Sequence, residues 1–471
     1  MLIEIIKKCC IFDKRTLERE SCMEQVINRT VSNETLICKL KNIDQRIFDA
    51  PDFKRDENIH RLFLYPAMMV PATQKVVLDA LVEYLPEHPN MLDPYMGSAT
   101  SLLSCMELGM NVYGQDINPL AVLLSKVKTG PLDYVLYRER LKVIESRMEQ
   151  DQSEQIAIPF QNINKWFKKN IQIGLSKIRR AIVQEEDIHV RRFFWIVMAE
   201  VIRISSNDRT STYKLHLRTK EDIEKRNVSV KDEFIKLAGR SIKDLEKFKA
   251  KLNELSQLNG EQGHYKGQAG VRWGNTLESI NSPLTFSLLV SSPPYGDNQT
   301  TVTYGQHSYL QLQWIDRKDI DENIDFDFLR TTQEIDRKSL GGSINKAKIN
   351  GQRKIILEKS PALREFLGSF GTEEQKKLNK VIVFIYDFYK SLDVILPKLN
   401  KGAFLVWTIG NRHVSKKEVP NDKILIDLML DREITLIHEA ERTILNKTMP
   451  SRNKITQTMT KEKILIFQKP F

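Results

Sequence analysis

Cysteine is scarce in this chain. The five cysteines among 471 residues are Cys9, Cys10, Cys22, Cys38 and Cys105. None forms a CxxC pair and no histidine cluster accompanies them, which argues against a structural zinc site or a disulfide scaffold and fits free thiols in a reducing compartment. No metal is expected. Long apolar runs are also missing. The opening stretch MLIEIIKKCCIF is broken by Glu4, Lys7 and Lys8, so neither a signal peptide nor a membrane span is expected, and the expected location is the cytoplasm. Internal repeats and low-complexity tracts are absent. Acidic residues are outnumbered, 61 against 72 Lys and Arg, for a net charge of +11. That balance favours a polyanionic partner, although many basic proteins bind none. Hydrophobic content of 41% supports a real core. The length suits a catalytic domain with insertions, or two to three domains.

Two motifs carry chemistry. The first is Ser292-Pro293-Pro294-Tyr295, which follows the apolar run Phe286 to Val290. The run reads as a buried strand entering a tight turn. Two prolines fix the backbone and remove two N–H donors, leaving rigid carbonyl acceptors. A small polar residue before them and an aromatic after them suit the holding of an exocyclic amine and its ring. The plain structural alternative is a proline-rich turn after a core strand.

The second motif is Asp93-Pro94-Tyr95-Met96-Gly97-Ser98-Ala99-Thr100, after the short apolar pair Met91–Leu92. A helix-like run follows from Ser101 to Leu108, then a strand from Asn111 to Gly114, ending in Gln115-Asp116-Ile117-Asn118-Pro119. Strand, small-residue turn, helix, strand and acid make the βαβ pattern that binds an adenosine-containing cofactor, with an acid about 20 residues after the turn for the ribose hydroxyls. No lysine follows the turn, which argues against a phosphate-cradling P-loop. From this half alone a nicotinamide dehydrogenase stays open.

Together the two motifs resemble those of the DNA amino-methyltransferases, which transfer a methyl group from S-adenosylmethionine to cytosine N4 or adenine N6. The resemblance rests on a cofactor motif of the form D-P-F-x-G-S-G-T and a catalytic motif of the form [S/D/N]-P-P-[Y/F]. It extends to His60–Pro71, to Gly274-Asn275 where the family often has Gly-Asp, and to Trp407–Arg412, which looks like a late motif beside the target-base pocket. Ala99 departs from the pattern, standing where the family usually has a second glycine. Alanine there would be strained by roughly 1 kcal/mol if the backbone needs a positive φ.

The resemblance implies a Rossmann-like class I methyltransferase fold. This is an α/β architecture with a mostly parallel seven-stranded sheet, a C-terminal antiparallel hairpin and a helical insertion. It implies double-stranded DNA as the partner, a restriction–modification or phage-defence setting, and a cognate restriction nuclease as a candidate protein partner. Ser292 and Pro293 would accept from the amine and Tyr295 would stack on a flipped base, with Pro294 completing the turn. On the cofactor side it implies Tyr65, Pro66, Asp93, Pro94, Gly97, Ser98, Asp116, Asn118 and Asn275. Each has a plain alternative: a helix N-cap for the Asp116–Asn118 segment, a turn for Asn275, packing for Tyr65 and Pro66. Arg412, Lys447 and Arg452 are candidate nucleic-acid contacts, with a surface salt bridge as the alternative for Arg412. Tyr304, Tyr309 and Trp314 read as helix packing, with base stacking as the alternative. Serine at the head of the catalytic motif favours cytosine N4, since adenine-N6 enzymes more often carry Asp or Asn. The alternatives are an adenine-N6 DNA enzyme, an RNA guanine-N2 methyltransferase, and a non-catalytic cofactor- or DNA-binding subunit.

The chain divides into an N-terminal extension (1–58), a cofactor-binding half (59–145), a helical insertion (146–268), a catalytic-motif segment (269–315), a charged candidate target-recognition insertion (316–372) and the C-terminal half (373–471). Helices are expected over about Ala72–Leu85, Phe193–Ile204, Lys231–Leu258 and Leu378–Leu396. Strands are expected over Ala403–Ile409, Ile434–Ala440 and Ile464–Gln468. Lys346, Lys348, Arg353 and Lys354 form a basic cluster in 316–372, read either as a DNA-contacting loop or as a solvated face.

Overall fold

A computed structural model of the chain describes residues 34–51, 59–260, 263–444 and 459–471. The central sheet has seven strands: β1 (Asn90–Asp93), β2 (Asn111–Asp116), β3 (Ala269–Trp273), β4 (Phe286–Ser291), β5 (Leu399–Ile409), β6 (Thr435–Thr443) and β7 (Lys461–Gln468). Their order across the sheet is β6-β7-β5-β4-β1-β2-β3. β5, β4, β1, β2 and β3 run parallel, and β7 inserts antiparallel between β5 and β6. This is the Rossmann-like class I methyltransferase fold, with its closing hairpin.

Alternation along the strands builds two cores. Met91, Leu288, Val290, Phe404, Val406, Ile464 and Ile466 face one side. Leu92, Phe286, Leu289, Leu405, Trp407, Leu465 and Phe467 face the other. A strand covered on both faces must be apolar at nearly every position, which is how β4 reads. Helices cover both faces. α1 (Pro71–Leu81), α2 (Thr100–Met106) and α3 (Pro119–Thr129) lie on the first. α4 (Tyr134–Gln150), α5 (Lys169–Val183), α6 (Ile188–Ser205) and α7 (Val230–Glu254) extend the same core outward. α6 is the innermost: Phe193, Phe194, Trp195 and Ile196 are wholly buried.

α8 (Tyr304–Leu312) follows the catalytic turn. On the second face, α9 (Ile349–Lys359) packs against α10 (Asn379–Ile395), with α11 (Asn421–Leu430) beyond. The expected strand and helix positions agree with these elements to within a few residues at most ends. The 316–372 segment differs. It lacks apolar periodicity because its short helices each bury only a few apolar residues, such as Ile335, Leu340, Ile356 and Leu363. Gly341 (φ +69) makes the close approach, since a Cβ there would meet Phe384 Cβ at 2.8 Å. In the N-terminal extension, residues 34–51 dock on the sheet edge: Asp49 accepts from the Thr443 amide at 2.6 Å, and Leu36, Leu40 and Phe48 are buried.

The strand order reverses beside β1. β1 leads to β2 on one side, while its neighbour β4 leads to β5 on the other. In open parallel sheets ligands bind at the carboxyl ends of strands where the order switches. β1 ends at Asp93, β2 at Asp116 and β4 at Ser291. Topology therefore gathers the small-residue turn, the acid and the Ser-Pro-Pro-Tyr motif at one sheet edge.

Candidate active site

The turn after β1 is held from behind. Asp93 Oδ1 accepts from the Ser291 hydroxyl at 2.6 Å and from the Tyr95 amide at 3.1 Å, and Oδ2 accepts from the Ser101 hydroxyl. Full burial raises this carboxyl to about pKa 6, against those three hydrogen bonds. Asp93 thus ties the small-residue turn to the last residue of β4. Gly97 (φ +47) and Ala99 (φ +65) both lie in the left-handed region. The positive φ that glycine would relieve is present at Ala99, and the alanine carries that strain.

Asp116 closes the turn from β2. Its Oδ2 accepts from the Gly97 amide at 2.9 Å and its Oδ1 from the Asn118 amide at 2.8 Å. Burial lifts its pKa to about 6. The cap of α3 is Asn118, not Asp116: Asn118 Oδ1 accepts from the Leu120 amide at 3.1 Å. Its amide nitrogen donates to the Tyr65 hydroxyl at 3.0 Å and to Ser308 at 2.9 Å. Tyr65 stacks on Tyr304 with ring centroids 5.7 Å apart.

Below β4, Ser292 Oγ lies 3.1 Å from the Tyr295 hydroxyl, which donates to Glu462 Oε1 at 3.0 Å. Glu462 is paired with Arg442 at 2.9 Å. The Tyr295 carbonyl accepts from Asn421 at 3.0 Å, and the same Asn421 amide group donates to the Gly410 carbonyl at 2.9 Å. A side chain at Gly410 would strike Tyr295 Cε2 at 2.8 Å, so the late Trp407–Arg412 motif supplies a bare backbone against the ring.

The small-residue turn, Asp116 and Ser292 line one cavity, of about 830 Å³ including its open mouth. Of the expected residues, Tyr65, Pro94, Gly97, Ser98, Asp116, Asn118, Asn275, Ser292 and Pro294 line it. Pro66, Asp93, Pro293 and Tyr295 are not on that wall; Asp93 and Tyr295 act on it through the bonds above. Asn275 both lines the cavity and makes a turn, accepting from the Leu277 amide at 3.1 Å. Tyr304 lines the cavity as well as packing on its helix. Met68, Met69 and Ile117 supply apolar wall.

Sequence reasoning missed a third wall. Asn298, Ile335, Ser339 and Leu340 come from the catalytic loop and the 316–372 segment, joined where Asn298 donates to Ser339 Oγ at 2.9 Å. Asp336 sits behind them, fully buried, accepting from the Gly305 amide at 3.0 Å at the start of α8. Burial, with Asp297 nearby, raises it to about pKa 7, and its Oδ2 has no hydrogen-bond partner among the described residues. No local spacing signals a carboxylate that reaches a helix start 31 residues earlier in the chain.

The expected nucleic-acid contacts fare differently. Arg412 is directed inward: its guanidinium donates to Thr300 Oγ1 at 3.0 Å and lies 3.5 Å from the buried Asp297. It ties the segment after β5 to the loop after Ser-Pro-Pro-Tyr through a pair with a buried acid, neither a surface salt bridge nor an outward-facing cation. Lys447 and Arg452 lie outside the described residues. Among the described residues no group of three or more His, Cys, Asp or Glu could hold a metal ion, and no helix is long and apolar enough to cross a membrane.

The chain is 30% identical over 439 residues to the type II methyltransferase M.MvaI of Kocuria varians, covering 88% of this chain and 91% of that one. The chain belongs to the type II methyltransferase family. The type II methyltransferase M.MjaII of Methanocaldococcus jannaschii is 36% identical over 85 residues, 17% of this methyltransferase and 14% of that protein. No family model matches. The solved rRNA methyltransferase aviRa from Streptomyces viridochromogenes aligns over 86% of both chains with 8% identity and a TM-score of 0.26. The methyltransferase's fold stands on its own strand order.

Proposed function

We propose that this methyltransferase transfers a methyl group from S-adenosylmethionine to the exocyclic amine of a base flipped out of duplex DNA, with cytosine N4 as the acceptor. The observation that carries this reading is the single cavity that joins Asp116 and the Gly97 turn to Ser292 and Pro294.

The residues present fit that cofactor. Gly97 leaves room beside Tyr65, whose Cε1 would lie 3.6 Å from an added Cβ. Thr100 Oγ1 is buried at the cavity wall with no hydrogen-bond partner among the described residues. The Asp116 carboxylate accepts from backbone amides, which leaves lone pairs for ribose hydroxyls. In this reading Asn275 meets the adenine edge, and Met68, Met69 and Ile117 receive the apolar parts.

S-adenosylmethionine supplies an electrophilic methyl on a sulfonium with a neutral leaving group, so the protein's task is positioning and electrostatics. The acceptor amine is conjugated with its ring and weakly nucleophilic. Ser292 Oγ and the Pro293 carbonyl accept from its two N–H groups and favour sp³ character at nitrogen. Tyr295 stacks on the ring and offsets part of the cost of unstacking the base. No strong base is required before attack, because the proton leaves to water afterwards. Serine at position 292 favours cytosine N4. A restriction–modification setting accords with the type II designation of the relatives.

The test is transfer of labelled methyl from S-adenosylmethionine to duplex DNA and, in parallel, to RNA, with Tyr295→Ala as control. Label in DNA that the control abolishes is expected. Label in RNA alone would move the protein to RNA methylation. Cofactor binding with no transfer to either would favour the non-catalytic reading.

A further inference from the structure

A basic segment of the helical insertion packs against the start of α8, whose Tyr304 lines the reaction cavity, and nothing in the catalytic reading uses it. Residues 208–218 leave the end of α6 and return as a pinned loop. Asp208 and Leu217 form a β-bridge, the Arg209 amide donates to the His216 carbonyl at 2.9 Å, and the Arg218 amide donates to the Asn207 carbonyl at 2.9 Å. The loop is fastened to the element that follows the catalytic turn. Thr303 Oγ1 donates to the Tyr213 carbonyl at 3.0 Å, and the Leu215 amide donates to Gln306 Oε1 at 3.2 Å. Tyr304, between those two anchors, lines the cavity.

Charge on this loop is one-sided. Arg209, Lys214 and His216 are exposed, and Arg218 is half-buried with its Nε unpartnered among the described residues. Among the described residues none of the three cations Arg209, Lys214 and Arg218 makes an ion pair. The single acid, Asp208, is half-buried and accepts from the His216 amide at 2.7 Å within the loop. Elsewhere basic side chains are commonly neutralised: Lys461 and Lys463 pair with Glu441 and Glu439, and Arg140 and Arg147 share Glu185. A pinned loop with three cations against one acid, next to the helix that follows Ser-Pro-Pro-Tyr, is what a polyanion's backbone would meet.

We propose that 208–218 is a phosphate-holding surface for duplex DNA, positioning the strand that flanks the flipped base. This rests on the DNA reading above, and it assigns backbone binding to the helical insertion as well as, or instead of, the 316–372 segment.

Fluorescence-anisotropy titration of the full chain with a labelled duplex, over a series of salt concentrations, tests it. Arg209→Ala/Lys214→Ala is compared with Lys346→Ala/Lys348→Ala and with wild type. Cofactor affinity and thermal melting are measured on each variant to confirm that the fold is kept. The first variant is expected to weaken duplex binding by about tenfold and to lower the slope of log K against log salt by about 2, because two phosphates are no longer neutralised, with cofactor affinity unchanged. Wild-type affinity and slope in that variant, whatever the 346/348 variant shows, would overturn the assignment while leaving the DNA reading intact. Wild type that binds no duplex at any salt would defeat the DNA reading itself.

Discussion

The Tyr295 hydroxyl donates to the Glu462 carboxylate at 3.0 Å. An ionised carboxylate only accepts, so the single phenolic proton is committed to Glu462. The Tyr295 oxygen must then accept from Ser292, whose own proton is committed in turn. The lone pairs of Ser292 Oγ are left for the cavity, which suits an amine that arrives with two N–H groups. A strand of the closing hairpin thereby sets the polarity of the catalytic motif.

Removing that control should slow chemistry without touching the cofactor. Glu462→Ala is expected to lower the single-turnover rate by about tenfold, roughly one hydrogen bond. Glu462→Gln, which keeps an amide oxygen as acceptor, should restore most of it. Cofactor affinity should be unchanged in both. Equal rates for Ala and wild type would mean that Ser292 is oriented by something else.

Asp116 predicts a pH dependence of cofactor binding. Burial raises its pKa to about 6. A protonated carboxyl offers fewer acceptor sites to ribose hydroxyls, so cofactor Kd should rise as pH falls through about 6. Calorimetric titration from pH 8 to pH 5 should show this in wild type, and Asp116→Asn should bind weakly with a flat profile. A flat wild-type profile would remove Asp116 from the cofactor contact.

Asp336 predicts the opposite sign for stability. Its folded pKa of about 7 lies above the ordinary carboxylate value near 4. The folded state therefore holds the proton more tightly, and the stability this confers is present below about pH 4 and lost as pH rises through 7. Asp336→Asn keeps an acceptor for the Gly305 amide and buries no charge. It should raise stability at pH 8, on the order of 1–3 kcal/mol, and show a smaller gain at pH 5. Denaturant unfolding at the two pH values measures it.

Gly114 in β2 sets how closely the cofactor turn packs. An added Cβ would meet Met96 Sδ at 2.5 Å and Leu102 Cδ2 at 2.9 Å. Gly114→Ala should cost ~1–3 kcal/mol of stability and weaken cofactor binding, because Met96 lines the cavity. A wild-type unfolding midpoint would show that the turn can yield.

Much of the site is legible in the sequence itself. The βαβ turn and the Ser-Pro-Pro-Tyr motif are local, with their chemistry compressed into a few neighbouring residues. The mostly parallel sheet and its closing hairpin come from the resemblance those motifs carry, while the order of the strands comes from the structure. What stays hidden depends on partners distant in sequence. Glu462 meets Tyr295 across 167 positions, and no local pattern marks it. Asp336 hides in a segment whose short helices lack period. Arg412 reads as a nucleic-acid contact or a surface salt bridge, and its bonds to Thr300 and the buried Asp297 are not visible from local sequence. Asp93 reads as a ligand contact, but Ser101 and Ser291 occupy its oxygens.

The central claim is methyl transfer to an exocyclic base amine, and nucleoside mass spectrometry of duplex DNA incubated with the protein and S-adenosylmethionine tests it most directly. The account predicts N4-methylcytosine in wild type and none with Tyr295→Ala. N6-methyladenine would overturn the reading of Ser292, and a methyl group on ring carbon or only in RNA would contradict the account.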